Sequence, residues 1–302
     1  MVRVVTDDMN ALLWQEFMEW EVEVALKQMA PLKALGPISM LPLFYQNYWC
    51  LIGDVVTKTI LSYLNSATIP HPLYHTFITL ISKIKNLVAV FDYCPISFCN
   101  VLYKIFSNAL ANRLKKILTS IITEHQSAFT KHRLISDNIL VAFETLHSMN
   151  IYKFSKSGYM AVKLDVSRAY DRVEWCFLEE VMRKLGFNER WIALMMICVK
   201  TVSYSMLVNG EPKGLIHLIR GIRQGDPLSP FLFLLCTEGL NSLILQAKSE
   251  GSIHSFALSG RSPKLTHLLL RMIAYCFASL TEMNAKNCWT FWPPMKVCRD
   301  KK

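Results

Sequence analysis

Paired cysteines are missing from this sequence. Nine cysteines are scattered along it, Cys94 and Cys99 lie closest together, and no second pair or nearby histidine completes a zinc pattern. An odd count without regular spacing suggests a reducing compartment and buried free thiols. The opening stretch MVRVVTDDMNALLWQEF has no apolar h-region, so no signal peptide is expected. No uncharged apolar run reaches about 18 residues, so no membrane span is expected either. The expected location is therefore intracellular, nuclear or cytoplasmic. Internal repeats, low-complexity tracts and Gly/Ser linkers are absent as well, which leaves one large domain or two linked subdomains within 302 residues.

A hydrophobic fraction of 52% is ample for a core, and a formal charge of +10 with a pI near 9.1 suits a polyanionic partner. Helices are expected over residues 8–30, 43–66, 103–122, 174–187, 191–199 and 231–248, the last with Ser229 as N-cap and Pro230 at its first position. Strands are expected over residues 77–81, 202–208 and 215–219, the last two joined through NGEPKG. On the 103–122 helix, Leu110, Leu114, Ile117, Leu118 and Ile121 line one side. Arg113, Lys115 and Lys116 line the other, either as a solvated basic face or, with Lys131, His132 and Arg133, as a track for a phosphate backbone.

The stretch GYMAVKLDVSRAYDRVEW, residues 158–175, organises the chain. Met160, Val162 and Leu164 alternate with Ala161, Lys163 and Asp165, the period of a strand. An acid at the end of such a strand is either a metal ligand at the rim of a sheet or the cap of the following helix. A second stretch, GIRQGDPLSP (residues 221–230), leads into the apolar run FLFLLC.

Together, LDVSRAYDRVEW and GIRQGDPLSP resemble the reverse transcriptase of plant non-LTR retrotransposons, the long interspersed element type. FDYCPISFCNVLYKI, LANRLKKIL and HQSAFTKHRLISDNIL fit the same family in the same order, over about residues 20–267. The resemblance implies an α/β (α+β) fold: the helix-rich fingers and the palm of a right-hand polymerase, with a small antiparallel palm sheet and no evident thumb. It implies an N-terminal helical extension over 1–90, fingers and palm over 91–269, and RNA-directed DNA polymerase activity on RNA template, DNA primer and dNTP. Two magnesium ions would serve such chemistry, held by carboxylates and phosphates. By resemblance, Asp165 and the Val166 carbonyl are metal ligands, and Tyr170 lies beneath the incoming sugar, its bland alternative being core packing. Gln224 and Gly225 contact template and nascent pair, and Arg223 binds phosphate or is solvated. Arg133 belongs to the nucleotide- and template-binding set. Asp171 and Asp226 are expected to be structural, through turn or cap hydrogen bonds.

The chain departs from the family pattern in four places. LGPISM stands where the family reads closer to PGPDGM, Cys94 where it has arginine, and Lys131-His132 where it has Pro-Gly. Cysteine supplies neither the charge nor the planar donor fork of arginine. The fourth departure is decisive: the family's Phe/Tyr-Ala-Asp-Asp is absent. After Leu265-Thr266-His267-Leu268-Leu269 the chain reads LRMIAYCF, and beyond Gly260 the only acids are Glu282 and Asp300. Back-translation one base earlier forces an aspartate across Met272 and Ile273 and admits Phe-Ala-Asp-Asp-Ser-Leu-Leu-Phe-Cys. A lost base between the codons of His267 and Leu270 would put residues 270–302 out of frame. The sequence thus predicts a truncated, frameshifted polymerase, inactive as written. The alternative is a non-catalytic nucleic-acid-binding relic. A third reading is an unstable fragment without the last palm hairpin, exposing apolar edges.

Overall fold

Thr6 accepts a hydrogen bond from the Met9 N–H, and Asp7 and Asp8 fill the first turn, which starts helix α1 (Asp7–Trp14). Helix α2 (Glu19–Lys27) follows after a break where one helix over 8–30 was expected. The break has a cause. The Arg113 guanidinium donates to the carbonyls of Leu13, Gln15 and Glu16, which a continuous helix would have needed for itself. The expected 43–66 helix is likewise two, α3 (Pro42–Asn47) and α4 (Trp49–Ser66), with Tyr48 at φ −102° and ψ 18° between them. Helix α5 is one turn, His71–Tyr74.

In this computed structural model all residues are described except 33–35, 38, 39, 87, 90, 91, 131, 152–158, 166–168, 252, 254, 258–263, 271, 272 and 280–302. Strand β1 (Thr76–Ser82) pairs along its whole length with β2 (Tyr93–Cys99). Helices α6 (Val101–Ile121) and α7 (Ile135–Ile151) precede β3 (Tyr159–Asp165). A 3₁₀ turn (Ala169–Arg172) leads to α8 (Trp175–Leu185) and α9 (Glu189–Lys200). The hairpin β4 (Ser203–Val208) and β5 (Glu211–His217) turns on Asn209 and Gly210 alone, both at positive φ. The turn is tighter than the expected NGEPKG connection because Asn-Gly fits a two-residue turn of this hand. Helix α10 (Ser229–Ser249) follows, then β6 (Phe256–Ala257), β7 (Lys264–Leu265), β8 (His267–Leu270) and β9 (Ile273–Ser279).

These elements form two compact units, each drawn from segments far apart in sequence. One comprises residues 5–117 and 186–231 and holds the mixed sheet β2-β1-β4-β5, in which β1 runs parallel to β4. The other comprises 1–4, 118–185 and 232–302 and holds the antiparallel sheet β3-β9-β8. The expected α/β fold with a small antiparallel palm sheet is therefore present. So is the last hairpin, whose loss was expected in the fragment reading. Strand β9 pairs with β8 from His267↔Cys276 to Leu270↔Ile273 and with β3 from Tyr159↔Ser279 to Asp165↔Ile273. Its alternation buries both faces. Ala274 and Cys276 pack with Leu240, Ile244 and Ala247 of α10, and Phe277 packs with Leu268, Phe256 and Ala142 of α7.

Helix α10 is the helix among the described residues with the length and apolar composition of a membrane span, but 72% of that window is buried in protein. It reads as a core helix. Close packing on α8 explains Gly239, where an added Cβ would come within 2.8 Å of Phe177 and 2.9 Å of Val181.

Candidate functional site

The expected site residues divide between the two units. Asp165, Tyr170 and Arg133 belong to the unit with the antiparallel sheet, and Arg223, Gln224 and Gly225 to the other.

Asp165 ends β3, and its backbone is the cross-strand partner of Ile273. Ile273 also pairs with Leu270, so the β8–β9 connection reaches the sheet at the level of Asp165. That connection, Leu270-Arg271-Met272-Ile273, carries no acid. Val166, the expected carbonyl ligand, and Lys131 fall outside the described residues, as does the tail from 280. Among the described residues no group of three or more His, Cys, Asp or Glu side chains converges. By sequence, the β8–β9 connection adds no carboxylate to Asp165, and chemistry with two divalent ions needs several, so the donor set does not fit the ions that the resemblance implies.

Tyr170 is buried, with its ring centroid 5.3 Å from that of Phe233. Arg133 donates to the carbonyls of Ile122, Thr123 and Gln126, just beyond α6, rather than standing free for a nucleotide. It closes the C-terminal end of that helix, a position that favours a cation. Its neighbour His132 sits at φ 63°, the left-handed region. This is the place where the family pattern has glycine, and glycine enters that region without steric cost.

In the other unit, Arg223 is neither phosphate-facing nor solvated. It is 3% exposed, lies over the Tyr103 ring at 3.7 Å, and donates to the Cys198 carbonyl at 2.8 Å and to Thr76 Oγ1 at 3.3 Å. Burial opposes its charge, but Tyr103, Cys99 and Asp226 outweigh that and hold it protonated. Asp226 makes an ion pair with it at 3.5 Å, accepts from the Tyr103 hydroxyl at 2.6 Å and accepts the Leu228 N–H at 2.9 Å. Asp226 is thus structural, as turn chemistry predicts. The arginine was misjudged because a sequence shows its charge but not the buried partners that neutralise it.

Gln224 and Gly225 are presented differently. The Gln224 carbonyl accepts the Ser97 N–H of β2 at 3.3 Å, and its exposed side chain donates to Cys94 Sγ at 3.7 Å. Gly225 has φ 100°, and an added Cβ would lie 3.4 Å from the Ser97 carbonyl. The structure therefore brings Cys94 to the Gln224-Gly225 loop, two places singled out separately.

Arg113 was expected on the basic outer face of α6, and the structure corrects this. It is 2% exposed, donates to Glu21 Oε1 at 2.8 Å and Oε2 at 2.6 Å, and sits 3.3 Å above the Phe17 ring. Lys115 and Lys116 stay on the polar side, their ammonium groups 5.1 and 5.7 Å from the rings of Phe231 and Trp20.

A buried polar chain escaped the sequence reading. Glu238 accepts from the Thr123 N–H and hydroxyl, and Asn241 donates to Glu238 and to Thr123 Oγ1. Both Asn241 N–H groups are so engaged, leaving its Oδ1 to accept from His267 Nε2 at 2.7 Å. His267 stacks on His125 with centroids 4.4 Å apart, and the Nδ1 atoms of both are buried without a partner. Burial pushes the His267 imidazole down to about 3 and lowers His125 as well. The sequence shows His267 in Leu265–Leu269, but its partners lie on α10 and after α6.

A model of reverse transcriptase (RNA-dependent DNA polymerase) matches residues 85–262. An uncharacterized 149 kDa protein of transposon TX1 from Xenopus laevis is 25% identical over 218 residues, covering 72% of this chain and 16% of that protein. An uncharacterized mitochondrial protein of Arabidopsis thaliana is 49% identical over 63 residues, 21% of this chain and 52% of that one. The retrovirus-related Pol polyprotein of a type-1 retrotransposable element R2 from Popillia japonica is 26% identical over 191 residues, 60% of this chain and 26% of that one. The chain thus spans only a part of the length of each.

Proposed function

The chain belongs to the reverse transcriptase (RNA-dependent DNA polymerase) family, and from that premise we propose that it is a plant non-LTR retrotransposon polymerase that has lost nucleotidyl transfer. The observation that carries the proposal is the β8–β9 connection, which meets the end of β3 at Asp165 without an acid. Losing the carboxylates that neutralise charge at the reacting phosphate removes most of the transition-state stabilisation on which this chemistry depends. Asp165 and Val166 are what is left of the metal-binding set. Gln224 and Gly225, held on β2, are the residues proposed to meet the template, and Tyr170 the nucleotide sugar. Arg223 and Arg133 are assigned to holding the loops in place.

We attribute the loss to one missing base between the codons of His267 and Leu270, and sequencing the coding DNA from Gly260 onward tests this. A neighbouring frame that reads Phe-Ala-Asp-Asp supports it, and its absence overturns it. The test of inactivity is primer extension on an RNA template with magnesium. No product is expected, and extension abolished by Asp165→Ala would overturn the proposal. A second reading, a nucleic-acid-binding relic, is favoured by the net charge of +10 and is supported by salt-dependent RNA binding without extension.

A further inference from the structure

Helix α7 is packed inside out. It turns Asn138, Ala142 and Thr145 inward. Asn138 donates to the His125 and Leu269 carbonyls, and Thr145 to the Val141 carbonyl. Outward go Ile135, Ile139, Leu140, Phe143, Leu146 and Ile151, and the Phe143 side chain is 67% exposed. From Ile135 to Leu146 these side chains recur at spacings of three and four residues, the pattern of a helix seam, and a contiguous exposed patch of this kind marks an interaction surface.

The seam is symmetric about its own middle. Phe143 is the central residue of Ile135–Ile151. Counted outward from it, Leu140 is matched by Leu146 and Ile135 by Ile151, while Ile139 is matched by His147, which stacks on Phe143. An isologous two-fold contact requires this kind of self-matching surface. The charges choose the direction. Asp137 and Glu144 are the acids of the helix, and it carries no Lys or Arg. A parallel pair would set each acid beside its own copy. An antiparallel pair about Phe143 moves the two Asp137 copies about 12 residues apart along the axis and opposes the helix dipoles favourably, while Glu144 stays near its own copy in either direction, so Asp137 and the dipoles carry the choice.

We propose that the outer face of α7 is the interface of an antiparallel homodimer, with Phe143 of both copies at the two-fold axis. The inference stands apart from the catalytic reading and uses none of its residues. Sedimentation velocity of the full chain over a concentration series is the first test. A reversible monomer–dimer equilibrium is expected, and Phe143→Asp should weaken it by at least roughly tenfold. Leu140→Lys, a second exposed position, should do the same, and circular dichroism checks that both variants stay folded. The second test is mild oxidation of Phe143→Cys and of Asp137→Cys, with the crosslinked peptide identified by mass, because Cys50 and Cys94 are also accessible. Phe143→Cys should crosslink. Asp137→Cys should not, since antiparallel packing separates its copies by about 12 residues of helix, roughly 18 Å. A monomer at every concentration overturns the proposal. So does a dimer indifferent to both seam variants, or equal crosslinking at positions 137 and 143.

Discussion

Arg113 shows how much one buried charge can organise. Its guanidinium is paired with Glu21, stacked on Phe17 and bonded to three carbonyls at the end of α1 and just after it. Arg113→Ala should cost about 3–5 kcal/mol in denaturant unfolding, because it strands the Glu21 carboxylate in the interior. Lys116→Ala, at a solvated position three residues along, should change stability by no more than about 0.5 kcal/mol. Burial raises the Glu21 carboxyl pKa, but hydrogen bonds from Arg113 and the Met18 N–H outweigh it and hold the group below its ordinary range. Its contribution is therefore present above the unfolded pKa and fades as pH falls through the folded one. His267 also weakens the fold in acid, by the same proton balance in a higher pH window. Its folded pKa of about 3 lies below the ordinary value of 6.5, so the unfolded chain takes the proton first. Stability should be full above about pH 6.5 and fall by up to roughly 1.4 kcal/mol per pH unit between there and pH 3. His267→Gln should flatten that slope in thermal melts. At His132, with its positive φ, substitution by glycine should be tolerated, while valine should cost about 1–2 kcal/mol.

At the scale of elements, β9 is the strand to test. It is the central strand of its sheet and is buried on both faces, yet by the reading-frame argument it lies in out-of-frame sequence. Phe277→Ala should cost about 3–5 kcal/mol if β9 sits in the core as the structure has it. A loss below about 1 kcal/mol would mean that the strand contributes nothing. Sequence reading captured the elements with strong periodicity: α6, α8, α9, α10 and β3. It placed no element over α7, although apolar residues recur there at helical spacing; what the sequence does not show is that this face points outward. It gave no strand over 273–279, because that stretch resembled nothing in the family. The pairing Asp165↔Ile273 joins positions distant in sequence, and neither residue signals the other. Cys94, by contrast, was legible as a departure, and only its meeting with Gln224 required coordinates.

For the whole molecule, the excess of basic residues is the property with the widest reach. With a net charge of +10, RNA binding, where present, should be sequence-tolerant and fall steeply with salt. Anisotropy titrations between about 50 and 200 mM salt should show a linear fall of log K with log salt, with a similar slope for unrelated sequences. A flat response, or strong preference for one sequence, would remove the relic reading.

The place of β9 between β3 and β8 also has a consequence in time. The partner of β3 is made last: β3 leaves the ribosome while most of α8 to α10 is still untranslated, and neither β3 nor β8 can pair until residues 273–279 emerge. At about 5–20 residues per second the unpaired edge of β3 waits for several seconds. Throughout that interval the nascent chain presents a strand with open hydrogen-bonding groups, a substrate for chaperones or for neighbouring copies on the same message. The yield of folded protein should then fall as the time that one strand stands alone grows.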